Sequence, residues 1–385
     1  MLLGNRHIII LLLIMVFAAC NEADNNQNII EKTEGGDNYS FQENYINDNI
    51  KNDSTEYKIN SINEYFENRN RRNGFNGTVL YAEKGKIIYE KSFGYANIRK
   101  KDILDQNSSF QLASISKPFT ATAIIMLEER GKLEYNDTIQ KFFPEFPYHG
   151  ITIHNLLSHR SGLPNYMYFA DEVWEDRYLG INNSDVIRLL TEHHPMRYNR
   201  PNRRYNYSNT NYCVLAAIIE KITGFPYNIF MKSQIFVPLQ MENTVIYNKC
   251  ISPKNNNKVI GYDGRRVADN TYLNGVVGDK GIYASARDLL KFDQALYTNS
   301  LISEESIKKA YTMVHKDLRI WNNYGLGWRI NAKDPENRII FHSGWWKGFR
   351  SHFVRLIDQN KTIIVLSNTT RGSFIDIKVL VKLVD

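Results

Sequence analysis

The chain is short of cysteine, has no metal-ligand spacing, no internal repeat and no nucleic-acid motif. Each shortage closes off a class of function. Three cysteines stand in 385 residues, Cys20, Cys213 and Cys250. The last two can pair in an oxidising compartment or stay as two thiols, because nothing in the sequence fixes their separation. His149, His154, His159, His193 and His194 lie close together in the chain. None forms His-Glu-x-x-His or another zinc spacing, so no metal and no other cofactor is expected. The apolar run from Ile8 to Phe17 is too short to span a bilayer.

That run has another use. Arg6 and His7 precede it and Ala18-Ala19-Cys20 follow, the layout of an export signal. It resembles a bacterial lipoprotein signal, which implies that residues 1–19 are removed and Cys20 carries lipid. Residues 21–56 are rich in Asn and carry nine acidic residues against Lys32 and Lys51, a balance of −7. With sparse apolar residues, 20–56 reads as a disordered acidic tether. The whole chain is +7 and the leader contributes only Arg6, so residues 57–385 carry +13. A basic body on an acidic stalk fits an anionic neighbourhood such as a cell envelope, with a membrane as partner through the anchor.

The body is organised around Ala113-Ser114-Ile115-Ser116-Lys117-Pro118-Phe119. An apolar run, Ala121 to Leu127, follows, and Glu128, Glu129 and Arg130 close it before Gly131. Ser114 and Lys117 then sit in the first turn of a buried helix, three residues apart on one face. Burial lowers a lysine pKa, and a neutral amine can take the Ser114 proton. Two further stretches join this pair. Asn206-Tyr207-Ser208-Asn209 precedes a helical pattern at Tyr212–Thr223, and Tyr207 can relay a proton, particularly if a nearby lysine lowers its pKa. His342-Ser343-Gly344 follows the strand-like Ile339-Ile340-Phe341, and Gly344 would let a substrate approach the backbone.

Around these, Ile62–Arg69, Ile153–Ser158, Asn183–His193 and Phe374–Leu383 read as helices. Gly77–Ala82 and Lys86–Glu90 read as a hairpin about Glu83-Lys84-Gly85. Arg338–His342, Ser351–Ile357 and Thr362–Leu366 read as strands, with Gly344 and Gly348 in the first connection. Strands at both ends and helices between predict an α+β domain over residues 57–385. One antiparallel sheet is built from both termini, flanked by helices, with a helical insertion lobe.

Ser-x-x-Lys, Tyr-x-Asn and His-Ser-Gly, in this order, resemble the serine β-lactamase and penicillin-binding-protein family. The closest branch is the class C β-lactamases with their related D-alanyl-D-alanine carboxypeptidases and esterases. Leu156-Leu157-Ser158-His159-Arg160-Ser161-Gly162-Leu163, Phe236-Val237-Pro238-Leu239-Gln240-Met241 and Gly278-Asp279-Lys280-Gly281-Ile282-Tyr283 extend the likeness. Arg160 replaces a family Thr, and Asn202 and Gln240 replace family glycines. The resemblance implies a β-lactamase/transpeptidase-like fold and a covalent acyl-enzyme. Ser114 is then the nucleophile, Lys117 and Tyr207 move protons, and Asn209, His342, Ser343 and Gly344 bind substrate. The backbone N–H groups of Ser114 and Trp345 form the oxyanion hole. The expected substrate is a small molecule or peptide, with peptidoglycan-derived peptides among the candidates, and the expected place is the bacterial envelope, with the outer membrane preferred. A true β-lactamase and a penicillin sensor that never turns over stand as alternatives. His342 takes the place of a family Lys that binds carboxylate, so anionic substrates should bind better as His342 gains a proton. If His342 only packs against the sheet, Arg350 or another cation takes that role.

Overall fold

The computed structural model describes residues 53–246, 258–268, 271–314, 323–331 and 338–385. Cys20, Cys250, the leader and the tether up to residue 52 lie outside them. The strands in chain order are β1 (Gly77–Glu83), β2 (Lys86–Phe93), β3 (Tyr95–Asn97), β4 (Asp102–Ile103), β5 (Phe110–Gln111), β6 (Val245–Ile246), β7 (Tyr262–Asp263), β8 (Arg266–Val267), β9 (Ile282–Ala284), β10 (Asn323–Tyr324), β11 (Arg329–Asn331), β12 (Ile339–Trp346), β13 (Phe349–Leu356) and β14 (Lys361–Ser367). The helices are α1 (Asp53–Asn68), α2 (Ser116–Glu129), α3 (Ile153–Leu157), α4 (Tyr166–Val173), α5 (Asn183–His193), α6 (Asn209–Thr223), α7 (Tyr227–Met231), α8 (Ala286–Ala295), α9 (Glu304–Ala310) and α10 (Ile377–Val384).

Seven strands form one sheet in the order β10-β11-β12-β13-β14-β1-β2, every pair antiparallel. The first hairpin joins the last strand through β1 and β14, in register from Gly77↔Ser367 to Glu83↔Lys361. The fold is therefore the expected β-lactamase/transpeptidase-like α+β architecture. Successive side chains on a strand point to opposite faces, so the sheet separates two cores. Val79, Tyr81, Ile363 and Val365 meet Ile62 and Phe66 of α1 and Leu380 and Val384 of α10. Leu80, Ile364, Leu366 and Phe353 face the larger core of α2, α6 and the insertion.

Three expected boundaries move. The first helix begins at Asp53, so residues 53–56 belong to α1 and not to the tether. Ile59, Ile62 and Phe66 give it a continuous apolar stripe, and Lys58 reaches Glu83 at 3.4 Å. The strand expected to stop at His342 runs through Gly344 to Trp346, and its turn is Lys347-Gly348, with φ of +43° and +86°. The last helix starts at Ile377, where the Asp376 carboxylate accepts from the Lys378 N–H at 2.9 Å.

Gly344 explains why β12 lies against the turn that precedes α2. A Cβ built on it would stand 2.1 Å from the Leu112 carbonyl oxygen and 2.4 Å from Ser351 Oγ. What approaches the Gly344 backbone is thus the chain's own Leu112, which the sequence reading had assigned to a substrate. Gly344→Ala should cost about 1–3 kcal/mol through overpacking and lower kcat/KM by more than the loss of folded protein explains. Urea denaturation and kinetics on the same preparation test this. A variant with wild-type stability and rate would show that the contact is dispensable.

Candidate active site

The nucleophile segment is a 3-10 turn, Ala113–Ile115, feeding directly into α2. Ala113 sits in the left-handed region at φ +50°, an uncommon conformation for a residue with a Cβ. From Phe110 to Leu127 only Ser114 is partly exposed; every neighbour in that stretch is buried. The chain therefore presents one hydroxyl at the end of an otherwise enclosed helix.

Lys117 is fully buried beneath that hydroxyl. Its Nζ lies 3.0 Å from Ser114 Oγ, 2.8 Å from Asn209 Oδ1 and 2.8 Å from the Asp279 carbonyl oxygen. Burial pulls its pKa down to about 7. The Asp279 charge opposes the shift and the Arg329 charge adds to it. The Asn209 and Asp279 oxygens can only accept, so they take the two N–H groups of the neutral amine. The lone pair is then left for the Ser114 proton.

Tyr207 donates to the same Ser114 oxygen at 3.0 Å. Its pKa moves opposite to the sequence expectation. Burial pushes it up to about 12, although the Ser114 hydrogen bond and Arg329 pull the other way. Burial thus favours a neutral Lys117 amine and a protonated Tyr207. The Tyr207 ring is held from several sides. The His159 ring lies 4.2 Å away and the Arg329 guanidinium 5.4 Å above it. His159 is itself buried, and its Nδ1 accepts from the Ser208 N–H at 3.2 Å, which fixes the loop that carries Tyr207. Asn209 is the first residue of α6, and its side chain belongs to Lys117 rather than to the helix cap.

The substitutions noted in the sequence keep the backbone they replace. Asn202 and Gln240, standing for family glycines, hold left-handed φ values of +61° and +54°. The Asn202 carbonyl accepts from Arg160 at 2.5 Å, and its side chain accepts from Asn155 at 2.7 Å. Two departures thus meet each other, next to the loop of Tyr207.

The His-Ser-Gly triplet behaves differently from the expectation. His342 is fully buried and lines no part of the catalytic cavity. Its Nε2 lies 3.1 Å from Tyr324 OH, and its Nδ1 lies 3.0 Å from the Ser343 carbonyl. Burial holds its pKa well below the ordinary histidine value, with Arg329 and Lys117 adding to the effect. A neutral imidazole without access to the cavity cannot gain charge to bind a carboxylate, so that expectation is withdrawn. Ser343 turns to the other face of the sheet, where its Oγ lies 3.2 Å from His352 Nδ1. Neither side chain contacts the space where a substrate would sit. Trp345, 67% exposed, is among the residues that line that space.

That space is a cavity of about 720 Å³. Ser114, Tyr207 and Asn209 form its floor, Asn165, Met167 and Tyr168 one wall, and Trp345 to Gly348 another. Asp279 and Lys280 also line it, and sequence reasoning gave them no role. Lys280 Nζ bonds Tyr166 OH at 2.7 Å and lies 3.5 Å from Asp279 Oδ1. The Asp279 carboxylate accepts from the same tyrosine at 3.0 Å. A charged pair between two glycines was the available signal, and Tyr166 and Arg329 carried none. Among the described residues no three His, Cys, Asp or Glu side chains converge as a metal site. Cys213 is a buried free thiol in α6, remote in role from this chemistry.

The β-lactamase family model matches residues 62–384. Penicillin-binding protein 4* of Bacillus subtilis (strain 168) is 41% identical over 317 residues, covering 79% of this chain and 70% of that protein. Among solved structures, the octameric penicillin-binding protein homologue from Pyrococcus abyssi aligns with a TM-score of 0.69 at 26% identity, over 82% of this chain and 73% of that one. The penicillin binding protein from Bacillus halodurans aligns with a TM-score of 0.71 at 24% identity, over 87% and 100%, a likeness of fold. With Ser114, Lys117 and Tyr207 on one oxygen inside this fold, the chain belongs to the β-lactamase family, among the penicillin-binding-protein-like serine hydrolases.

Proposed function

We propose that the protein is an envelope serine hydrolase of the class C-related branch. It cleaves peptide, amide or ester bonds through a covalent acyl-enzyme, in the manner of a D-alanyl-D-alanine carboxypeptidase or an esterase. One observation carries the reading: Lys117 Nζ and Tyr207 OH each stand 3.0 Å from Ser114 Oγ. Lys117 takes the Ser114 proton as the oxygen attacks the substrate carbonyl carbon. The tetrahedral oxyanion is held by the backbone N–H groups of Ser114 and Trp345, and one such donor lowers the barrier by about 3–4 kcal/mol. Tyr207 protonates the departing amine or alkoxide as the carbonyl re-forms, and the proton on Lys117 is relayed back to the phenolate. Water then attacks the acyl-enzyme by the same route. Asn209 holds Lys117 and reaches the cavity, so it orients both amine and substrate.

Peptidase or esterase activity ranks above efficient β-lactam hydrolysis because the catalytic strand offers no permanent cation to the cavity. The B. subtilis relative is named for penicillin binding, so acylation by a penicillin is the natural probe. Fluorescent penicillin should label the wild type and not Ser114→Ala, and the label should decay in a chase. Label persisting for hours would turn the reading toward a sensor. Nitrocefin, D-alanyl-D-alanine peptides and short nitrophenyl esters assayed in parallel rank the substrates.

The pH profile follows from Lys117. The amine must be neutral to act, and its pKa lies at about 7. The rate of Ser114 acylation should therefore rise about tenfold per pH unit below 7 and level off above it. A rate flat from pH 5 to 8 would remove Lys117 as the base. Lys117→Ala and Tyr207→Phe should each be severely impaired. Their double variant should be little worse than the poorer single, because they serve one proton-transfer unit.

The anchor is proposed from the leader alone. Cys20→Ser should leave the protein soluble or as unprocessed precursor. Correctly cleaved Cys20→Ser protein retained in the membrane fraction would show that lipid on Cys20 is not the anchor.

A further inference from the structure

A second cavity, of about 610 Å³, opens beside the catalytic one. Arg69, Arg72, Arg371 and Phe374 line it. Arg69 is committed to structure. Its Nε donates to the Gly372 carbonyl at 2.9 Å, Nη2 to the Phe374 carbonyl and Nη1 to Tyr65 OH. These bonds hold the 371–374 segment over the end of α1. Arg72 and Arg371 are exposed, and among the described residues no carboxylate pairs with them or with Arg69.

Two groups around this cavity are left wanting a partner. Arg350 of β13 lies between two aromatic rings, 5.3 Å from the centre of Trp345 and 5.4 Å from that of Phe374. Its Nε is buried and unpaired. Ser373, between the lining residues Gly372 and Phe374, is 1% exposed, and its Oγ has no partner. Guanidinium groups gathered without a counter-charge repel one another, and buried donors left unpaired cost free energy. The repulsion is relieved when an oxyanion sits among Arg69, Arg72 and Arg371, and the planar guanidinium fork matches phosphate and carboxylate.

The two cavities adjoin at one residue. Thr370 lines both. Trp345 belongs to the catalytic one, Phe374 to the second, and Arg350 stacks on each. Asp263, in the catalytic cavity, accepts from Thr370 Oγ1 at 2.9 Å and stands opposite Arg266 in the β7–β8 pair. We propose that the arginine cavity is an accessory subsite for a phosphate or carboxylate group on the distal part of an extended anionic substrate whose scissile carbonyl lies at Ser114. The scissile end of this assignment rests on the hydrolase reading; the anion subsite does not. A concave site adjoining the catalytic cavity at Thr370 fits one substrate chain reaching across both, whereas a membrane surface calls for a flat or convex face.

The test uses the full chain and the Arg72→Gln/Arg371→Gln variant, which leaves the catalytic residues and the structural Arg69 in place. Binding of fluorescein-labelled polyphosphate should weaken by about tenfold or more in the variant, the loss expected of charged hydrogen bonds. Hydrolysis of nitrophenyl acetate should stay unchanged. A D-alanyl amide carrying an oligophosphate or oligoglutamate tail should be cleaved with a higher kcat/KM than its neutral-tailed counterpart by wild type, and without that preference by the variant. Equal polyphosphate binding by wild type and variant overturns the subsite. So does an anionic tail that brings no advantage. Loss of binding to phosphatidylglycerol vesicles with polyphosphate binding intact would make the patch a membrane contact, and overturns it too. Failure of the hydrolase reading shows separately, as absent turnover of every ester with polyphosphate binding preserved.

Discussion

An amine cut off from solvent is the constraint on which the catalytic centre depends. Lys117 is completely buried, and an ammonium there forfeits several kcal/mol of hydration. It recovers only part of that from the Asn209 and Asp279 oxygens. Giving up its proton is the cheaper solution, and this is why burial leaves it titrating at about 7. The same enclosure acts on Tyr207 with the opposite sign, because there the charged form is the one without the proton. One dry environment therefore separates the two groups into a base and a proton donor on either side of Ser114. The residues that enclose Lys117 come from α2, the start of α6 and the loop before β9, so the base exists only when the whole insertion is folded.

The sheet supplies the remaining alignment. Its central strands are contributed by the two ends of the described domain, and β12 enters between β11 and β13. Gly344 lets that strand touch the Leu112–Ala113 backbone, which brings the 344–345 peptide beside the nucleophile. Alternation then decides what each neighbour does. His342 and Gly344 face the helical core, and Ser343 and Trp345 face the other way. A shift of one residue would exchange the two sets, so the Gly344 contact fixes the identity of the site as well as its closeness.

This alternation also marks how far the sequence could be read. Ser114 and Lys117 were legible because helix periodicity places residues three apart on one face. Tyr207 and Asn209 flank a helix start, which confines them similarly. Even the two-ended sheet followed from strand-like runs at both termini. His342 was misplaced because a strand's facing depends on partners distant in the chain. Tyr324, the group that takes its imidazole, lies in a two-residue strand with no pattern of its own. Arg329 and Asp279 were missed for the same reason. They reach Lys117 and Tyr207 only through pairings such as Arg329↔Phe341, which no local spacing encodes. The direction of the Tyr207 shift failed for a further reason. The sequence suggested a cation nearby, but the depth of burial outweighs it.

The placing of charge around the catalytic cavity bears on what the protein can recognise. Where the family lysine would place an ammonium, this strand carries a neutral, buried His342. The permanent cation sits one strand further out, as Arg329 behind the Tyr207 ring. From there its field reaches Lys117 and Tyr207, favouring the neutral amine. Inside the cavity, Lys280 stands beside Asp279, so the deep pair adds no net charge. Two further cations line the cavity, Arg266 and Lys347, against the single further acid Asp263. Guanidinium groups with no carboxylate partner among the described residues lie in the adjoining cavity, at Arg371 and Arg72. The family lysine's place beside the scissile bond is thus taken by an imidazole that carries no charge, and the cations that remain around the cavity come from other elements: Arg266 of β8, Lys280 before β9 and Lys347 of the β12–β13 turn.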